Sequence, residues 1–155
     1  MSAIYVRPYA AADRAALFAL APRLTVGNAP WLDPAAVLVA AQGWITDALA
    51  NLGPNSAVFV ASGADNACLG FVSVARRTHF TGKERAYVGE LAVAETAEAQ
   101  GVGRALLAAA EQWAQSQGFR VIELDTGAAN TRARGFYGHL GYDEEGIKLV
   151  KLLSE

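Results

Sequence analysis

The sequence predicts an α/β (α+β) domain with a mixed, mostly antiparallel central sheet of about six to seven strands and helices on both faces. Three observations point there. Short apolar runs recur between residues 57 and 93 with turn residues separating them, as in an antiparallel meander. Two stretches, one before the meander and one after it, place apolar residues at helical spacing. A strand–helix–strand order over residues 86–125 then implies a parallel, right-handed crossover.

Each element has its own warrant. Ile4–Val6 reads as a short opening strand that stops at Arg7-Pro8, and Ala11–Leu20 as an Ala-rich helix. Ala21–Trp31 holds two prolines and a glycine and reads as a loop. Asp33-Pro34 starts a second helix, with Asp as N-cap and Pro at the first helical position. Val37, Trp44, Ile45 and Ala48 repeat at helical spacing until Asn51–Asn55 ends the segment. Strands follow at Ala57–Ala61, Leu69–Ala75 (running toward His79) and Ala86–Val93, separated by turns at Ser62–Asn66 and Thr81–Arg85. Gly103–Gln117 is an amphipathic helix with Leu106, Leu107, Ala110, Trp113 and Ala114 on one face, and Gly118 suits its left-handed end. Val121–Asp125 is a buried strand. Asn130 can cap a short helix that Gly141 closes, and Tyr142–Glu145 and Ile147–Leu152 read as final strands.

Composition narrows the class. At 155 residues, 53% hydrophobic and 18% charged, the chain fits one folded domain spanning 1–155. A net charge of −2 and the lack of a basic patch argue against nucleic-acid binding. Cys68 is the only cysteine, so no intramolecular disulfide forms, and burial on an apolar strand suits it better than nucleophilic work. Arg7, Asp13 and Arg14 interrupt the N-terminus before a signal-peptide core develops, and the longest apolar run, Ala35–Ala41, is far short of a membrane span. The expectation is a cytoplasmic chain without membrane attachment.

Chemistry concentrates in two segments. Leu91–Leu107 reads as strand, loop with Gly101-Val102-Gly103, and helix start. Glycines at such a junction let a ligand approach the backbone, and the free N–H groups and dipole of the helix start favour an anion. Spacing alone leaves a phosphate site and an ordinary tight turn both open. There is no Gly-Lys-Ser/Thr, and Leu106 takes the third glycine position of a dinucleotide fingerprint. The second segment runs from Asn130 to Tyr142. On pattern alone its Tyr137 reads as a half-buried tyrosine on an apolar helix face. Glu90 is a carboxylate inside the apolar run Tyr87–Val93. It either sits at a bulge or edge in water, or serves as a base at the bottom of a cleft. His79 and His139 are isolated, no cluster has metal-ligand spacing, and no Ser/His/Asp order suggests nucleophilic catalysis.

Together the two segments resemble the GNAT family of N-acetyltransferases. That family's Gln/Arg-x-x-Gly-x-Gly/Ala loop falls on Glu98-Ala99-Gln100-Gly101-Val102-Gly103, departing from the pattern at Glu98. Its Asn-x-x-Ala-x-x-Phe/Leu-Tyr-x-x-x-Gly-Phe/Tyr run is matched at Asn130, Ala133, Phe136, Tyr137, Gly141 and Tyr142, and Arg7-Pro8 followed by Ala12-Asp13 is a familiar opening. The resemblance implies a GNAT-like fold and an acetyl-CoA-dependent N-acetyltransferase that moves an acetyl group to a primary amine by direct attack, with no metal. It implies that Gln100, Gly101, Val102, Gly103, Arg104 and Ala105 hold the pyrophosphate through backbone N–H groups, with Glu98 turned to solvent. It implies that Leu91, Ala92 and Val93 position the thioester, with Asn130, Ala133 and Phe136 also on the cofactor side. Tyr137 would protonate the leaving thiolate and Glu90 would deprotonate the amine. The acceptor, a small-molecule or a peptide amine, is not readable. Its cleft would lie between Pro22–Trp44 and Asp143–Ile147, where Trp31 and Trp44 could stack on it or be core or lid residues. Asp143, Glu144 and Glu145 would either attract a cation or form a solvated turn. A catalytically silent acetyl-CoA-binding sensor or regulatory module is the alternative, and a homodimer paired through C-terminal strands is possible.

Overall fold

A computed structural model describes residues 3–154. Four strands, β1 (Tyr5–Pro8), β2 (Ser56–Ser62), β3 (Cys68–Thr78) and β4 (Glu84–Val93), pair antiparallel in chain order. A three-residue β5 (Ile122–Leu124) adds parallel to β4, so the sheet reads β1-β2-β3-β4-β5. The helices are α1 (Arg14–Ala19), α2 (Pro34–Ala50), α3 (Val102–Ser116) and α4 (Thr131–His139). A 3-10 turn, Ala21–Thr25, occupies the start of the segment expected to be all loop.

The sheet's alternation creates two cores. Val72, Val74, Ala86 and Val88 face α3, which buries Val102, Leu106, Leu107, Ala110 and Ala114 against them. Val58, Val60, Phe71 and Ala92 face the other way, onto Leu17 of α1 and Ile45 of α2. Each fully buried Leu, Ile or Phe in these layers contributes about 1.5–3 kcal/mol relative to exposure. The helices thus lie on both faces, as expected. Asp33 caps α2 by accepting the Ala35 N–H at 3.3 Å, with Pro34 at the first helical position. Arg7 grips Asp13 through two bonds of 2.7 and 2.8 Å, pinning the turn after β1.

A break in register in β4 shapes the site. Val72 pairs with Leu91 but Val74 pairs with Val88, so Ser73 lies opposite two residues, Gly89 and Glu90. That is a β-bulge, and one extra residue inverts which side chains face which way. Val88 and Leu91 therefore pack on the α3 core, while Ala92 packs on the α1/α2 core. By the same alternation Glu90 points to the α1/α2 face. Pairing of β4 with β5 ends at Val88–Leu124, so the two strands part where the bulge begins.

The expected sheet of six to seven strands is corrected to five. Among the described residues, Tyr142–Glu145 and Ile147–Leu152 form no strand. A strand needs an edge to pair with, and β5 is only three residues long. Arg134 holds Glu144 and Arg85 holds Glu145, which fixes the root of this arm, but Ile147, Leu149 and Leu153 beyond it are 76, 90 and 81% exposed. The alternation that suggests a strand is present; the partner is not. No helix among the described residues is long and apolar enough to cross a membrane.

Candidate active site

The bulge and the parting of β4 from β5 leave the last residues of β4 unpaired on the side away from β3. Ala94 N–H bonds to Leu69 O across the sheet, so by alternation Leu91 and Val93 turn their backbone groups away from β3, toward the gap. The Val93 carbonyl is reached there by Arg23 Nε at 3.0 Å. Ala92, between them, buries its side chain on the opposite face.

The loop from Glu98 to Gly101 runs into an uncapped start of α3. Gly101 is the N-cap with φ of +87°, a left-handed position that glycine adopts without strain, and it has no side chain to cap the helix. Ala99 is also left-handed, at φ 60°. Gln100 secures the loop by donating from Nε2 to Thr96 O. The first intrahelical bond is Ala105 N–H to Gly101 O, which leaves the N–H groups of Val102, Gly103 and Arg104 at the uncapped end. Gly103 matters for another reason: a Cβ there would stand 3.2 Å from Phe136 Cζ and 3.7 Å from Val93 Cγ2. The missing side chain lets the α3 start, α4 and the β4 edge meet, so the two sequence motifs lie side by side.

Glu98 does not turn to solvent. Its carboxylate is held between Arg23 Nη2 and Arg132 Nη1, the latter at 2.8 Å. Two cations from two other segments thus neutralise the acid that departs from the family pattern. The sequence carries no periodic signal for this arrangement, since Arg23 and Arg132 are 75 and 34 residues away from Glu98 in sequence.

Asn130 is committed locally. Its Oδ1 accepts the Ala133 N–H at 3.2 Å, capping α4, and its Nδ2 donates to Val26 O at 3.4 Å. The loop at Gly27 presses against it; a Cβ on Gly27 would meet Asn130 Cβ at 2.4 Å, and one on Gly127 would meet Gly27 O at 2.6 Å. The segment after α1 is thereby strapped to the start of α4. Ala133 and Phe136 sit half-buried on that helix.

Tyr137 is half-buried, its ring 5.3 Å from that of Phe136 and 5.8 Å from that of Tyr142. Burial pushes its phenol up from the ordinary tyrosine value. Its hydroxyl has no partner among the described residues, yet it is not sealed from the surface.

Glu90 is 8% exposed, and it is not at a wet edge. Burial raises its carboxyl above the ordinary range, a bond from Ser73 opposes this, and Asp47 on α2 adds a smaller upward push. Ser73 Oγ lies 2.5 Å from Oε2, and Oε1 has no partner among the described residues but, like the Tyr137 hydroxyl, still touches the surface.

Other candidates fall elsewhere. His79 stacks on Phe80 at 4.0 Å and lies 3.7 Å from Glu145, and His139 is exposed. Cys68 is half-buried, donates to Gly70 O at 3.7 Å, and burial pushes its thiol up from the ordinary value. Trp31 and Trp44 are 50 and 45% exposed, so neither is core. Glu144 and Glu145 are paired with arginines and form no free acidic trap. Ser73 and Arg23 escape sequence reasoning; a lone serine within Phe71–Ala75 is the one signal that could have marked Ser73.

This arrangement of a splayed sheet edge, an uncapped Gly-x-Gly helix start and a tyrosine-bearing helix is that of an acetyl-group transferase fold. The chain belongs to the acetyltransferase (GNAT) family, whose model matches residues 21–142. It is 34% identical over 104 residues to an aminoglycoside N(6')-acetyltransferase type 1 of Stenotrophomonas maltophilia, covering 64% of this chain and 67% of that one. A Serratia marcescens protein of the same description is 33% identical over 95 residues, 59% of this chain and 65% of that one. Among solved structures, the aminoglycoside N-acetyltransferase AAC(6')-Iy in complex with CoA superposes with TM-score 0.71 at 20% identity, covering 98% of this chain and 96% of that one. Glucosamine-6-phosphate N-acetyltransferase of Arabidopsis thaliana gives 0.68 at 14%, covering 98% and 99%. These two likenesses speak for the fold. The chain is a GNAT-type N-acetyltransferase with acetyl-CoA as its co-substrate.

Proposed function

We propose that the chain acetylates a primary amine by direct attack, with Glu90 as the base and Tyr137 as the acid. Bound acetyl-CoA supplies the thioester, its pyrophosphate on the backbone of Gln100–Ala105 and its arm along Leu91–Val93, beside Asn130, Ala133 and Phe136. Glu90 Oε1 takes a proton from the acceptor ammonium, and the Tyr137 hydroxyl donates one to the departing sulfur. Holding both substrates in line contributes more than either proton transfer. The observation that carries this reading is the pair of unpartnered titratable atoms: in each side chain the reactive oxygen lacks a protein partner but still meets the surface.

The acceptor we propose is a small multiply charged amine of the aminoglycoside class. Two curated relatives carry that activity in their names, Glu90 and Asp47 make the α2 side of the cleft acidic, and half-exposed Trp31 and Trp44 offer faces for a ring. Thiol release from acetyl-CoA is measured against aminoglycosides, polyamines, amino acids and peptides, with Tyr137→Phe and Glu90→Gln beside the native chain. Turnover confined to aminoglycosides and reduced about 10²–10⁴-fold in either variant is expected. Native turnover in Tyr137→Phe removes the acid role; binding of CoA without turnover of any amine supports a silent sensor instead.

We also propose that the chain acts as a homodimer. The exposed Ile147, Leu149, Val150, Leu152 and Leu153 follow an arm whose root is fixed by Arg85 and Arg134. Burying each removes about 60–120 Å² of apolar surface from water, so the two arms of a symmetric pair supply about 600–1,200 Å², a large part of the roughly 1,200 Å² at the lower end of stable interfaces.

A further inference from the structure

We infer that Ser73 is a positioning residue for the transfer reaction: its hydroxyl pins Glu90 Oε2 and leaves Oε1 as the oxygen that meets the acceptor ammonium. The inference rests on the reading of Glu90 as base. Two bonds define the geometry. Glu90's own backbone N–H donates to Ser73 Oγ at 2.9 Å, and the hydroxyl donates to Oε2 at 2.5 Å. A serine hydroxyl has one proton. With a lone pair engaged by the Glu90 amide, that proton is aimed at the carboxylate. The bulge makes this possible, because Ser73 faces Gly89 and Glu90 together, and in a regular ladder it would oppose one residue. Gly89 completes the device: a Cβ there would stand 3.1 Å from Ser73 Oγ and crowd the hydroxyl.

The chemical consequence is a bond that favours the ionised form of a buried carboxylate. Desolvation favours the neutral acid, whereas a bond donated to the carboxylate favours the anion. The charged neighbours are few. Asp47 on α2 works against ionisation. Among the described residues no cation acts on Glu90 to offset burial, and Ser73 is the group that does.

The test is a carboxyl-carbon NMR titration of the free enzyme, with the Glu90 signal identified by its loss in Glu90→Gln. Ser73→Ala is expected to raise the Glu90 midpoint by about one pH unit, the scale of one hydrogen bond to a charged group. Ser73→Thr restores it. Gly89→Ala, which keeps the serine but crowds it, moves the midpoint the same way and carries the test should Ser73→Ala melt early. The acid limb of kcat/KM for the best acceptor shifts in parallel. An unchanged midpoint in a folded Ser73→Ala or Gly89→Ala protein overturns the inference and leaves Glu90 as base. Native turnover in Glu90→Gln overturns the base reading itself, whatever the midpoints do.

Discussion

Replacing Glu98 by Gln tests whether the loop at the α3 start binds phosphate, because the structure makes opposite demands on stability and on affinity. In the free protein the carboxylate bridges Arg23, which is 24% exposed, and Arg132, which is 70% exposed. The exposed pair contributes almost nothing, and the half-buried one about 1 kcal/mol, so Glu98→Gln is expected to melt about 2–4 °C lower. Cofactor affinity moves the other way. A unit charge about 8 Å from another acts on it by about 0.5 kcal/mol at water's dielectric, so removing Glu98 favours a doubly charged pyrophosphate by about 1 kcal/mol, about fivefold in Kd. Arg23 and Arg132 are released to the phosphates as well. CoA binding is measured by calorimetry at low salt and at about 1 M salt, where screening within about 3 Å erases the gain. Equal or weaker CoA binding by the variant at low salt refutes the placement of the pyrophosphate beside Glu98.

Three further outcomes are expected. Glu90 has its carboxyl raised in the folded state, so the stability it contributes is present below the unfolded carboxyl's range and lost as pH rises through the folded value. Glu90→Gln therefore melts higher than the native chain at neutral pH while losing turnover, and the gap closes toward pH of about 4; melts across pH check it, and a lower melting point at neutral pH contradicts it. Ile147→Glu with Leu149→Glu is expected to turn a dimer into a monomer in sedimentation, whereas a native chain already monomeric at micromolar concentration contradicts pairing through the arm. Asn130→Ala removes the α4 cap at a cost of about 1 kcal/mol. Gly27→Ala, at φ +80° and 2.4 Å from the Asn130 side chain, costs at least about 2 kcal/mol; equal melting points for the two would show that the strap between them carries no strain.

The local chemistry of this chain is written in its order of residues. Asp33-Pro34 starts a helix because a carboxylate meets free N–H groups there and proline needs no donor. Gly101 and Gly103 mark a helix start that a ligand can approach, and the apolar face of α3 follows from spacing alone. Such features depend on neighbours within a turn or two, so they are legible without a fold, and the same holds for the motif that contains Tyr137. Three things depend on partners far along the chain. The face toward which Glu90 points is set by a bulge opposite Ser73, since one unpaired residue reverses the alternation of the strand. Whether Glu98 repels or serves is set by Arg23 and Arg132, which arrive from other segments. Whether Ile147–Leu152 becomes a strand is set by an edge to pair with, which β5 is too short to offer. Periodicity specifies what a segment can bury; only the tertiary structure decides what is there to bury it against.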